Sequence, residues 1–144
     1  VTRVTTSREV PACWTWPAPT AEALEKVRRR MVADAEQDGV GWRPSPQDVR
    51  WELMDQWKRG RCAICGRRTG RLIEDHDHET GLFRGWLCRA CNTCEGYAGD
   101  REPFAAYRER SPAIIFNLKS QYSNLYAWGS STNVTPPASS PGQR

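Results

Sequence analysis

Two cysteine pairs constrain this chain more than any other feature: Cys62-Ala63-Ile64-Cys65 and Cys88-Arg89-Ala90-Cys91, with 22 residues between them. Each CxxC turn places two sulfurs on one side of a tight loop, and two such turns make a four-thiolate tetrahedral zinc site. Gly66, one residue past the first pair, suits the backbone turn such a knuckle needs. Four thiolates close the coordination shell of Zn²⁺, so a site of this kind is structural. The competing readings are disulfides and CxxC redox chemistry. Residues Val1 to Pro19 show no apolar run behind a basic start, so no export signal is visible and a cytoplasmic location is expected. A redox enzyme needs one CxxC near a βαβ pattern, not two. Zinc is therefore expected, coupling about 10 kcal/mol of apparent binding energy to folding. Cys13 and Cys94 are left over, and Cys94 is expected to be a buried packing thiol.

At 144 residues the chain has room for one ordinary domain with an appendage, and its 38% hydrophobic content with seven Trp excludes wholesale disorder. No apolar run approaches the eighteen or so residues of a spanning helix, so no membrane partner is expected. The net charge of +4 is uneven. Residues 57–91 hold eight basic side chains (Lys58, Arg59, Arg61, Arg67, Arg68, Arg71, Arg84, Arg89) against Glu74, Asp75, Asp77 and Glu79. Residues 1–56 carry a net −1 and residues 92–144 a net +1. A basic surface around a tight acidic pocket suits a polyanion gripped around a cation, and it equally describes a solvated Arg-rich surface.

The only two histidines stand together in Asp75-His76-Asp77-His78, between the knuckles. Leu72 and Ile73 predict a short strand, Glu79-Thr80-Gly81 a turn, and Leu82 to Leu87 a returning strand. The run of Asp and His is then either a polar turn or a set of metal and proton-transfer groups at the bend of a zinc-stapled hairpin.

These residues, taken in order, carry a resemblance. The run Cys62-x2-Cys65, Asp75-His76-Asp77-His78, Gly81-x2-Arg84-Gly85-x2-Cys88-x2-Cys91-Asn92-x2-Glu95-Gly96 resembles the recombination endonuclease VII family, within the wider HNH or ββα-metal group of nucleases. The likeness covers roughly residues 60–97. It implies an α+β fold: a mainly helical small domain around a zinc-stapled ββα-metal (HNH) nuclease core. It implies that Cys62, Cys65, Cys88 and Cys91 hold Zn²⁺, and that Asp75 and Asn92 bind one catalytic Mg²⁺ (or Mn²⁺) through hard oxygen donors. His76 would take the proton from the attacking water, with His78 and Glu95 supporting the site; the pair His76/His78 is better defined than the division of labour within it. DNA is the implied partner, and a homodimer a further expectation from resolving members. Asn92 and Glu95 would share one face, i to i+3, of a helix following the second knuckle.

The chemistry is coherent on its own terms. Phosphodiester hydrolysis needs a base near neutrality, and His has an ordinary pKa of about 6.5. It also needs charge on the phosphate and the leaving oxygen, which one Mg²⁺ supplies. Arg67, Arg68, Arg71, Arg84 and Arg89 are candidates for the DNA backbone. The alternatives are a nicking or restriction-type HNH nuclease, an RNA-directed one, or a zinc DNA-binding module without catalysis, which would need neither a base nor a second metal.

The expected organisation is an N-terminal arm (1–19), a helical extension (20–60), the nuclease core (61–100), C-terminal helices (101–128) and a disordered Ser/Thr/Pro-rich tail (129–144). Thr20 caps a helix that stops at Gly39, with Leu24, Val27, Met31 and Ala35 on its apolar face. Its Arg28-Arg29-Arg30 cluster is either solvated or backbone-contacting. Ser45-Pro46 opens a second helix ending near Gly60, with Val49, Leu53 and Trp57 inward and Trp51 and Met54 beside them. Ser111-Pro112 opens a further amphipathic helix through Ile114, Ile115, Leu118, Tyr122, Leu125 and Tyr126, covering the core or meeting a second copy.

Overall fold

The computed structural model describes residues 8–121. A 3₁₀ turn (η1, Ala12–Thr15) leads into two long helices, α1 (Ala21–Gln37) and α2 (Pro46–Lys58), which pack on each other. The first knuckle follows, then an antiparallel hairpin of β1 (Ile73–His76) and β2 (Phe83–Leu87). Three helices close the described chain: α3 (Arg89–Tyr97), α4 (Phe104–Glu109) and α5 (Pro112–Ile115). The α+β class expected from sequence is what is found.

Local chemistry sets the helix ends. Thr20 Oγ1 accepts from the Ala23 amide, and α1 stops where Gly39 takes φ +70. There the Gly39 and Val40 amides donate back to the Glu36 and Ala35 carbonyls, a Schellman motif. Ser45 and Asp48 form a reciprocal capping box with Pro46 in the first turn of α2. The Arg28 and Arg29 guanidinium groups pair with Glu25, and Arg30 reaches Glu52 on α2. That cluster is therefore tied up by neighbouring carboxylates. Val49, Leu53 and Met54 are buried, whereas Trp57, expected inward, is 37% exposed in the last turn of α2. Trp51 instead supplies the aromatic contact with the hairpin, its ring 4.5 Å from that of Phe83.

The C-terminal helix departs most from expectation. It ends after Ile115, because Asn117 adopts a left-handed conformation (φ +51) and the Asn117 and Leu118 amides cap the Ile114 and Ala113 carbonyls. The chain then runs back along β2: the Phe83 amide donates to Ser120 and Leu82 bridges to Gln121. Tyr122, Leu125, Tyr126 and the tail lie outside the described residues.

Residues 11–16 of the N-terminal segment wedge into the core. The Ala12 and Cys13 amides donate to Ile64 and Ala63 of the first knuckle. Arg110 donates to the carbonyls of Cys13, Trp14 and Trp16, and Trp14 Nε1 to Ala106. Cys13 and Trp16 are buried with Phe116, Leu118 and Tyr107.

Gly85 explains how the hairpin meets these helices. A Cβ on it would lie 2.8 Å from the Tyr107 hydroxyl and 2.9 Å from Pro112. Gly85→Ala should therefore lower stability by about 1–3 kcal/mol, the range for overpacking a core, as read from the midpoint of urea denaturation. An unchanged midpoint would show that Tyr107 and α5 do not need that close approach.

Candidate functional site

The first knuckle is a tight loop in which the Cys62 amide donates to Arg67 and the Gly66 amide to Cys62, with Gly66 at φ +71. The second lies inside the first turn of α3 rather than ahead of it: Cys88 is the N-cap and its sulfur accepts from the Cys91 amide. The two knuckles bring Cys62, Cys65, Cys88 and Cys91 together, with all four sulfurs within 4.8 Å of one another. Four thiolates about 2.3 Å from a shared ion would stand about 3.8 Å apart; Cys65 and Cys88 sulfurs are 3.9 Å apart. No disulfide links them. Burial raises the Cys65 thiol, but the backbone and guanidinium of Arg67 and the neighbouring thiols outweigh it and bring its pKa down to about 7. Arg67 thus faces the anionic cluster, where it offsets charge that four thiolates would leave on a zinc site. The donor set, its spacing and this counter-charge fit structural zinc. Cys94, expected to be buried, is exposed on α3 and takes no part.

The hairpin places Asp75-His76-Asp77-His78 along its edge, not all at its bend. Asp75 and His76 belong to β1, and the register slips between them: Asp75 faces Gly85, His76 faces Phe83, and Arg84 is the unpaired residue of a bulge. Bulges re-aim side chains, and here Arg84 is turned inward. Asp77 builds the turn, its Oδ1 accepting from the Glu79 and Thr80 amides. His78 is exposed and stacks on His76, ring centroids 4.8 Å apart.

Asp75 is 3% exposed and is held from two sides. Its Oδ2 accepts from Arg84 Nε at 2.9 Å and from the Tyr107 hydroxyl at 2.8 Å, and its Oδ1 from Arg84 Nη2 at 3.1 Å. The same Nη2 lies 3.0 Å from Glu95 Oε2, and Glu95 Oε1 accepts from Arg108 Nε at 2.6 Å. Two buried carboxylates, one from β1 and one from α3, therefore share one arginine, with a second arginine behind. Burial raises the Asp75 carboxyl above its ordinary pKa, and Arg84 and Tyr107 oppose the rise. Burial likewise raises the Tyr107 hydroxyl, reinforced by the charge on Asp75, so it keeps its proton and donates. The His76 imidazole is pulled below its usual value by desolvation and by His78, which favours the neutral ring.

Sequence reading singled out Asp75, His76, His78, Glu95 and Arg84, and the fold gathers Asp75, Glu95 and Arg84 into one network beside the stacked histidines. Arg84, a candidate for the DNA backbone, is instead 14% exposed and spent on carboxylates. Arg67, Arg68, Arg71 and Arg89 are exposed. Asn92 sits half-buried in α3, one turn before Glu95, its backbone N–H donating to the Cys88 carbonyl. Missed altogether were Tyr107 and Arg108; nothing local distinguishes Tyr107 from an ordinary core aromatic.

Residues 36–110, just over half of the chain, match the recombination endonuclease VII family. The chain belongs to the recombination endonuclease VII family. That span takes in α2, both cysteine pairs, the hairpin, α3 and α4, hence the whole carboxylate–arginine network, while η1 and α5 lie beyond it. Two phage proteins are similar over a short segment. The Gene 59 protein of Mycobacterium phage L5 is 48% identical over 48 residues, 31% of this chain and 29% of that protein. The Gene 59 protein of Mycobacterium phage D29 is 52% identical over 45 residues, 29% of this chain and 27% of that protein. The chain thus spans less than a third of the curated relatives it matches. No solved structure matches it. Among the described residues, no helix is long and apolar enough to cross a membrane.

Three substitutions separate the roles of the cysteines and of Arg84. Cys88→Ser should lose bound zinc and cooperative unfolding together, whereas Cys94→Ser should keep one zinc per chain by metal analysis. Arg84→Ala strips both carboxylates of their shared partner and should cost about 3–5 kcal/mol, as expected for breaking a buried pair. Full stability in that variant would contradict the network.

Proposed function

We propose that this chain is a metal-dependent DNA endonuclease of the ββα-metal (HNH) type, with a structural Zn²⁺ and one catalytic Mg²⁺. The observation that carries this reading is that β1, which bears Asp75 and His76, is joined through Arg84 to an α3 whose first turn belongs to the cysteine cluster. A hairpin followed by a helix, stapled at the helix start, is the arrangement such a site requires.

Asp75 and Asn92 are the residues proposed to hold Mg²⁺, and their chemistry fits it: a carboxylate and an amide oxygen, both hard donors, leaving other positions for water and phosphate. When bound, the ion would stabilise negative charge on the phosphate and on the leaving oxygen. His76 is held as a neutral ring, the form in which an imidazole accepts a proton from water. Its neighbour His78 supports it by stacking and by disfavouring its protonated form. Glu95 anchors α3 to the hairpin through Arg84 and is thereby a support rather than the base. Arg67, Arg68 and Arg71, which follow the first knuckle, and Arg89, within the second, offer exposed positive charge suited to a phosphate backbone. Branched DNA is the proposed substrate, and two copies of the chain the proposed working unit.

Purified protein should cut or nick plasmid DNA with Mg²⁺ or Mn²⁺ and not after chelation. His76→Ala should slow cleavage by about 10²-fold or more, the scale of a general base, with zinc content unchanged. Cleavage at the parent rate in that variant would remove His76 from the role and favour a DNA-binding module without catalysis. Comparing a four-way junction with a plain duplex tests the branched substrate: equal rates on both would overturn it. Binding should also weaken steeply between about 50 and 200 mM salt.

A further inference from the structure

Asp75 can be counted acceptor by acceptor. An ionised carboxylate offers about four lone-pair directions, two on each oxygen. On Oδ2 both are used, by Arg84 Nε at 2.9 Å and the Tyr107 hydroxyl at 2.8 Å. On Oδ1 one is used, by Arg84 Nη2 at 3.1 Å. Among the described residues, one direction on Oδ1 is left.

We infer that Tyr107 is a positioning residue: by occupying Oδ2 it fixes the Asp75 carboxylate so that Oδ1 is the oxygen presented to a divalent cation. The inference rests on the metal-dependent reading of the site above. Several features of the fold serve this contact and are hard to account for otherwise. Tyr107 is fully buried, and its ring is carried on α4, far along the chain from β1. Its hydroxyl reaches Asp75 across Gly85, where a side chain would block it at 2.8 Å. The neighbouring residue on α4, Arg108, grips Glu95, so one short helix supports both carboxylates at once. Without the hydroxyl, the carboxylate keeps its paired contact with Arg84 but a lone pair on Oδ2 is freed, so a cation can meet either oxygen. Preorganisation of a ligand is worth affinity because the ordering is done before binding.

The test is Tyr107→Phe in the full chain, which removes one oxygen and keeps the ring. Mn²⁺ binding by electron paramagnetic resonance should weaken by about tenfold, and the Mn²⁺-induced rise in melting temperature should shrink, with zinc content at one per chain. The Mn²⁺ concentration for half-maximal cleavage should rise by the same factor. A residue that merely packs the core would lower the melting temperature equally with and without Mn²⁺ and leave the binding curve in place; that result overturns the inference. Should the Phe variant not fold, 3-fluorotyrosine at position 107 keeps ring and hydroxyl but alters the donor. An altered Mn²⁺ affinity there supports the inference, and an unaltered one overturns it. A parent chain that binds no Mn²⁺ sinks the metal reading and this inference with it, whereas equal binding by parent and variant sinks this inference alone.

Discussion

Arg84 lies between two buried carboxylates, Asp75 of β1 and Glu95 of α3, and its guanidinium keeps hairpin and helix at one separation. The cysteine cluster alone could not do this. It pins the first turn of α3 through Cys88 and Cys91, which leaves the rest of the helix free to swing about that end. The arginine supplies the second point of attachment, one turn beyond Asn92. With both ends held, Asn92 has a defined place relative to β1, and so does any ion that it and Asp75 share.

The network is a costly way to join two elements. Buried ion pairs are often no more stable than apolar replacements of similar volume, so cohesion alone does not account for two carboxylates, two arginines and a tyrosine in one interior. On the proposed metal-dependent reading, however, Asp75 is the carboxylate that meets a cation, and Leu could not take that place. The surrounding donors oppose the desolvation that raises the Asp75 pKa, and they hold its carboxyl in one orientation. Gly85 belongs to the same arrangement: it has no chemistry of its own, yet it clears the path by which Tyr107 reaches Asp75.

What was legible in the sequence was local. CxxC spacing, the Thr20 and Ser45 caps, the turn at Gly81 and the strands beside it are each decided within a few residues, and each is found in place. The periodic apolar residues from Ile114 onward predict a longer C-terminal helix than is found, because Asn117 tolerates the left-handed cap that ends α5. Trp57 was placed inward by the same counting. Arg84 reads as a DNA-backbone candidate because an arginine in a basic stretch looks solvated until its bulge and its partner on α3 are known. Tyr107, Arg108 and the docking of Cys13 and Trp16 against Arg110 depend on contacts between segments far apart in the chain, and no short window contains both partners.

Anomalous diffraction from crystals grown with Zn²⁺ and Mn²⁺ is the most direct measurement of how the two attachments serve one ion. Zinc is expected about 2.3 Å from each of the four sulfurs, and manganese within coordination distance of Asp75 Oδ1 and the Asn92 side-chain oxygen, with Tyr107 still on Oδ2. Manganese bound elsewhere, or no manganese while Arg84 closes over Asp75, would contradict the claim that the hairpin and α3 are joined to hold a cation between them.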